Sequence, residues 1–193
     1  EGYPLAWDKR DIDVAVSSWK THRFGEKWTN ESWKCKLTKA GHIPGAAMLN
    51  VETDTHKLLF TGDFDTRDSP LTNGAKPEKC DILFVEGTYG GRDHPNKQET
   101  IEKFVSKIVE ISDRGGTALI PAFANGRTQD IVMMLHKYLP EMDVHVDGMG
   151  KHVARLQLEN PDALRNPEEL REAWKWCRSC LLYTSPSPRD LAQ

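Results

Sequence analysis

Hydrophobic and polar positions follow two different rhythms along this chain. In the first half the rhythm is short. Ile12, Val14 and Ala15, with Ser17-Ser18 before Trp19, fit one brief helix. Trp33, Cys35 and Leu37 alternate with charged or polar neighbours, the period of a half-exposed strand. Residues 47–51 and 57–61 predict two more strands around the turn-like Glu52-Thr53-Asp54-Thr55. A polar connection with Pro and Gly, residues 68–79, leads to residues 81–86. That short, almost continuous apolar run predicts a buried strand.

The second half reads as helices and strands in turn. Ile101, Phe104, Val105, Ile108 and Val109 recur at helical spacing, and Gly115-Gly116 ends that helix. Thr117-Ala118-Leu119-Ile120 predicts another buried strand. Ile131, Met134, Leu135, Tyr138 and Leu139 then share one face of a second helix, which stops at Pro140. Val144-His145-Val146 predicts the next strand, ending at Asp147-Gly148. Strands alternating with helices predict a parallel α/β arrangement, without internal repeats. Residues 180–193 have no periodicity. The stretch 180–190 resembles translated adaptor sequence, and a non-native-looking disordered tail is expected there.

Composition narrows the classes. With 193 residues, 38% hydrophobic and 28% charged, the chain is long enough for one domain or parts of two. Global disorder, collagen and disulfide-scaffold classes are excluded. No apolar run nears the ~18 residues of a membrane span, and the start does not read as a signal peptide. A cytoplasmic protein is expected, or a nuclear one in a eukaryote, with no membrane partner. The 26 Lys and Arg against 29 Asp and Glu leave a formal charge of −3. Bulk charge therefore cannot hold nucleic acid, and phosphate chemistry would rest on metal ions or a local patch. Cys35 and Cys80 are isolated. Cys177 and Cys180 form one C-x-x-C without the second pair of a zinc site, and read as incidental thiols.

Three motifs fall at predicted strand ends. Ala40-Gly41-His42-Ile43-Pro44-Gly45-Ala46 puts an imidazole on a tight loop, where it can face a ligand. Thr61-Gly62-Asp63-Phe64-Asp65 delivers Asp63 to the carboxyl end of its strand, where ligands of α/β folds sit; an ordinary turn aspartate is the plainer alternative. Glu86-Gly87-Thr88-Tyr89-Gly90-Gly91 puts Glu86 where it can orient a histidine, or simply be a solvated turn residue. Gly126-Arg127-Thr128 lacks the lysine of a phosphate-cradling loop.

In this order and spacing the three motifs resemble the metallo-β-lactamase fold and, within it, the β-CASP nucleases that include the cleavage-and-polyadenylation endonuclease. Residues 120–130 (Ile-Pro-Ala-Phe-Ala-Asn-Gly-Arg-Thr-Gln-Asp) resemble that family's signature after the first strand of its inserted domain, and Asp147-Gly148-Met149 resembles the strand end that follows. Gly87 departs from the family's usual Ser. The resemblance covers roughly residues 35–155.

The resemblance implies a fold, a site and an activity. The expected fold is α/β: a partial metallo-β-lactamase-like sandwich over residues 1–90, then the first part of a parallel α/β β-CASP domain over 91–179. Two zinc ions are implied, with His42 as a ligand and Asp63 as the bridging carboxylate. Glu86 is implied as the acidic partner of a catalytic histidine. Thr88, Tyr89 and Arg127 are substrate-binding candidates, and Arg127 suits a structural ion pair equally well. The implied reaction is hydrolysis of RNA phosphodiesters, in mRNA 3′-end processing or RNA decay, as a homodimer or within an RNA-processing complex. The family's H-x-H-x-D-H motif is expected upstream of residue 1, since Asp8, Asp11, Asp13 and His22 do not match it. Later histidine motifs are expected beyond residue 179. His136, which reads as a helix-surface residue, His145 and His152 do not match them. The chain is therefore expected to be an internal piece of a longer enzyme, inactive alone. The alternatives are a non-catalytic scaffold paralogue and a metallo-hydrolase of small esters or thiolesters, the latter disfavoured by the Glu86 and 120–130 motifs.

Deleting residues 180–193 is expected to leave the midpoint of thermal unfolding unchanged, because they add no periodic apolar face. A fall of several degrees would show that the tail packs.

Overall fold

A computed structural model of the chain describes residues 7–179. The predicted tail and Cys180 lie outside the described residues. Helix α1 (Lys9–Ser17) opens them, capped by Asp8, whose Oδ1 accepts from the backbone N–H of Arg10 and Asp11 while Asp11 accepts from the Asp8 N–H. It buries none of its side chains.

Four strands then form a meander: β1 (Lys27–Asn30), β2 (Trp33–Lys39), β3 (Ala47–Glu52) and β4 (Lys57–Phe60), each antiparallel to the last. Met48 and Leu59 are fully buried and cluster with Ala40 and Ala75. Strand β5 (Ile82–Phe84) joins β4 in parallel, so the five-stranded sheet is mixed.

Two expected buried strands are corrected by the structure. Among the described residues β5 is an edge strand with a neighbour on one side only and no layer covering it: Leu83 is 51% and Phe84 50% exposed. The apolar run at 117–120 forms no strand. Its backbone has no ladder partner among the described residues, and Leu119 is 93% exposed. Among the described residues, parallel pairing in the second half is limited to β6 (His145–Val146) with β7 (Arg178–Ser179). The architecture is thus mixed α/β with a mixed sheet, and the expected run of parallel strands is absent among the described residues.

Helices dominate instead: α2 (Lys97–Asp113), α3 (Arg127–Tyr138), α4 (Gly150–Glu159) and α5 (Pro167–Trp176), with a short 3₁₀ turn at Pro161–Ala163. The sequence pattern predicted the first two and missed α4 and α5. Asn96 caps α2 through its side-chain oxygen, and Gly115, at φ +74°, ends it. The inward face of α3 differs from the one expected. Gln129, Val132, Met133 and Leu135 are buried, whereas Ile131 and Met134 are half-buried and Tyr138 is exposed. The cause is the neighbour: α3 packs on α5 rather than on a sheet. His136 is half-buried, its ring tilted against Trp176 at 5.2 Å, and not a plain surface residue.

The connection between β4 and β5, read from sequence as a polar linker, ties sheet to helices. Leu71 leaves this strap and is buried among Val132, Met133, Leu164 and Leu170. Its N–H donates to Asp130 Oδ1, and its carbonyl accepts from the Arg165 N–H. Asn166 Nδ2 donates to the Pro70 carbonyl, and Arg165 pairs with Asp68. Leu71→Ala should destabilise the protein by about 2–5 kcal/mol through the cavity it leaves. Urea unfolding of the variant checks this.

Candidate active site

The loop carrying His42 is fixed by backbone geometry. The Ala40 N–H donates to the Ala46 carbonyl, closing the loop. Gly41 sits at φ +75°, and a Cβ there would meet the Asp65 carbonyl at 2.3 Å and the Ala75 nitrogen at 2.6 Å. Only glycine fits. The strap clamps the same point: Asp65 N–H donates to the Ala40 carbonyl, and the buried Thr72 hydroxyl donates to the Gly41 carbonyl. His42 itself stays exposed.

Asp63 and Glu86 reach the site from adjacent strands. The parallel register pairs Phe60 with Phe84, so both acids leave the sheet at its carboxyl end. Glu86 Oε1 accepts from the Phe64 N–H at 3.4 Å and Oε2 from the Thr88 N–H at 3.2 Å. Bonding to the Thr88 hydroxyl, then to the Phe64 N–H, with a smaller contribution from the nearby His42, holds the Glu86 carboxyl below its ordinary range.

The stretch 120–130 braces the third wall. Gln129 is fully buried: its Oε1 accepts from the Gly126 N–H, and its Nε2 donates to the carbonyls of Ala124 and Gly150. Gly126, at φ +88°, lies so close to Ile43 that a Cβ would meet its Cγ2 at 2.6 Å. This contact brings the start of α3, and Arg127, to the His42 loop. Burial raises the Asp130 carboxyl above its ordinary value, against hydrogen bonds from Ser69 and Leu71.

His42, Asp63, Glu86, Thr88, Tyr89 and Arg127 all line one cleft of about 650 Å3. The structure therefore brings the six sequence candidates together. It adds residues the sequence did not single out: Arg67 and His94 in the same cleft, and Lys97 in an adjoining recess. Arg67 forks onto Asp65, Nε to Oδ1 at 3.0 Å and Nη2 to Oδ2 at 2.8 Å. No periodicity or motif marks it, since it falls between the Thr61–Asp65 motif and the polar connection at 68–79. As metal donors, His42 and Asp63 are right in kind but short in number. Among the described residues, no three His, Cys, Asp or Glu gather to hold an ion, and a catalytic zinc takes about three protein ligands. The described residues alone do not make a metal centre.

No family model matches the chain. It is 34% identical over 180 residues to the probable RNase MJ4 of Methanocaldococcus jannaschii, covering 91% of this chain and 42% of that protein. To RNase aCSPSF2 of Saccharolobus solfataricus it is 32% identical over 176 residues, 90% of this chain and 36% of that one. To cleavage and polyadenylation specificity factor subunit 3 of Dictyostelium discoideum it is 35% identical over 136 residues, 69% and 18% of the two chains. The chain thus spans less than half the length of these relatives.

The Arg67 fork, and against it partial burial, set the Asp65 carboxyl: the net effect holds it below its ordinary value of 3.8. A depressed acid contributes stability that is present above the unfolded value and lost as pH falls through the folded one. Arg67→Gln should therefore cost about 0.2–1 kcal/mol at neutral pH, the range of a partly exposed pair. That difference should vanish in acid below the Asp65 titration, as read by denaturant unfolding at both pH values.

Proposed function

We propose that this chain, related along nine-tenths of its length to β-CASP ribonucleases, forms part of the active site of a metal-dependent enzyme that hydrolyses RNA phosphodiester bonds. The observation that carries the reading is the single cleft lined by His42, Asp63, Glu86 and Arg127. In this reading residues 1–90 belong to a metallo-β-lactamase-like region, and 91–179 begin the inserted β-CASP domain.

His42 and Asp63 are assigned as two of the metal donors, the others coming from the length of the relatives that this chain does not span. Zinc, when bound, supplies Lewis acidity and an activated water. The chain's own residues do the rest. Glu86, kept anionic by Thr88 and Phe64, is a positioning residue that orients the imidazole protonating the leaving oxygen. Thr88, Tyr89 and Arg127 hold the RNA strand. The working assembly is an RNA-processing complex, the kind of assembly that the name of the Dictyostelium relative describes for that protein. Among the described residues no helix is long and apolar enough to cross a membrane.

The test is RNA cleavage with zinc present. The 193-residue chain alone should be inactive, since two donors bind metal weakly. A protein of the relatives' length that contains it should cleave, and Asp63→Asn should lower its kcat by two orders of magnitude or more, about 2.7 kcal/mol of barrier. Undiminished cleavage by Asp63→Asn would remove Asp63 from the metal site. A long protein that binds RNA without cleaving it would favour the scaffold alternative.

A further inference from the structure

Three cations from three separate elements meet in a recess of about 210 Å3 beside the main cleft. Arg67 comes from the strap, Lys97 from the first turn of α2, and Arg127 from the first turn of α3. The recess shares His42, Asp65, Arg67, His94 and Arg127 with the larger cleft, so the two are one continuous groove. Its volume is many times the ~10–15 Å3 that one water needs.

The cations are held from behind. Asp65 grips Arg67 through Nε and Nη2, leaving Nη1 unused by that fork. Lys97 donates to the Asp68 carbonyl, and the Asp68 and Asp130 carboxyls lie near enough to feel its charge. Arg127 has no ion-pair partner among the described residues, although the Asp130 carboxylate is near enough to feel its charge. In the recess the three cations outnumber the two acids, Asp65 and Asp130, on a chain whose net charge is −3. Asp63 and Glu86, by contrast, line only the other part of the groove. Arg67 and Arg127 line both parts of the groove, and Lys97 lines only the recess.

Cations converging from several sides suit a phosphate, whose oxygens accept from any direction; they do not read base edges. Tyr89 lies along the same groove, 60% exposed, its ring tilted against His94 at 4.8 Å. An exposed aromatic beside fixed cations is the recurring arrangement for single strands, which stack bases while the backbone follows the charge.

The geometry points to Arg67, Lys97 and Arg127 as a phosphate clamp that holds the backbone of single-stranded RNA beside His42 and Asp63, with Tyr89 as the platform for the adjoining base. This rests on the ribonuclease reading and adds to it a subsite: the groove engages a flanking phosphate without regard to base identity.

Binding of a non-cleavable 2′-O-methyl RNA oligonucleotide to the intact protein, followed by fluorescence anisotropy across a salt series, tests the clamp. Each phosphate contact on a single strand contributes about 0.7 to the slope of log affinity against log salt. Lys97→Gln and Arg127→Gln should each lower the slope by about that amount and weaken binding several-fold. Tyr89→Leu should weaken binding with the slope unchanged. Arg67→Lys, which keeps the charge, should keep the slope. Lys103→Gln, exposed on α2 and outside the groove, is the control and should change neither quantity. If Lys97→Gln and Arg127→Gln behave like Lys103→Gln, the clamp is overturned. The ribonuclease reading then still stands if Asp63→Asn stops cleavage. If the unmodified protein neither binds nor cleaves RNA, both fall.

Discussion

The site depends on one close backbone approach. At Gly41 the chain runs so near the Asp65 carbonyl and the Ala75 nitrogen that no side chain fits between them. That contact joins the His42 loop to the strap between β4 and β5. The strap in turn carries Leu71 into the helical core and hands its N–H to Asp130 on α3. Gly126 closes the circuit by packing on Ile43, inside the His42 loop itself. Sheet, strap and α3 therefore hold one another at three points, and the cleft is the space they enclose. A shift at any one of these contacts moves His42 relative to Arg127.

The same circuit explains why two acids inside the molecule behave in opposite ways. Asp65 faces the guanidinium of Arg67, so its ionised form is favoured. Asp130 is buried between the strap and α3, where burial outweighs the hydrogen bonds from Ser69 and Leu71 and favours the neutral form. One acid orients a cation toward the groove, and the other secures the strap against the helix. The cations of the groove are set by these anchors rather than by the overall composition, which is slightly acidic. A local field of this kind can hold a polyanion where net charge cannot.

What was legible in the sequence was local. Alternation at Trp33, Cys35 and Leu37 marked β2, and the apolar runs at 47–51 and 57–61 marked β3 and β4, because strand propensity and the two-residue period are local to the backbone. The glycines around His42 and before Asp63 marked turns at strand ends for the same reason: positive φ is a local demand, met at Gly41, Gly45 and Gly62. The sequence also placed Asp63 and Glu86 just after strands, and the parallel pairing found in the structure sends both off the same end of the sheet. The glycine stop of α2 was equally readable.

Tertiary structure decided whatever depends on a neighbour. An apolar run signals a strand, but its burial needs a covering layer, and β5 and residues 117–120 have none among the described residues. Helical periodicity gave α3 its apolar residues, yet the inward face was set by α5, which the sequence pattern had not revealed. Arg67 and Lys97 lie outside every motif that the sequence analysis singled out. They became part of the groove only because the strap folds back under α3, and that contact joins residues some sixty positions apart in the chain, Leu71 to Asp130. Backbone geometry is written residue by residue, whereas burial and convergence belong to the packing of distant segments.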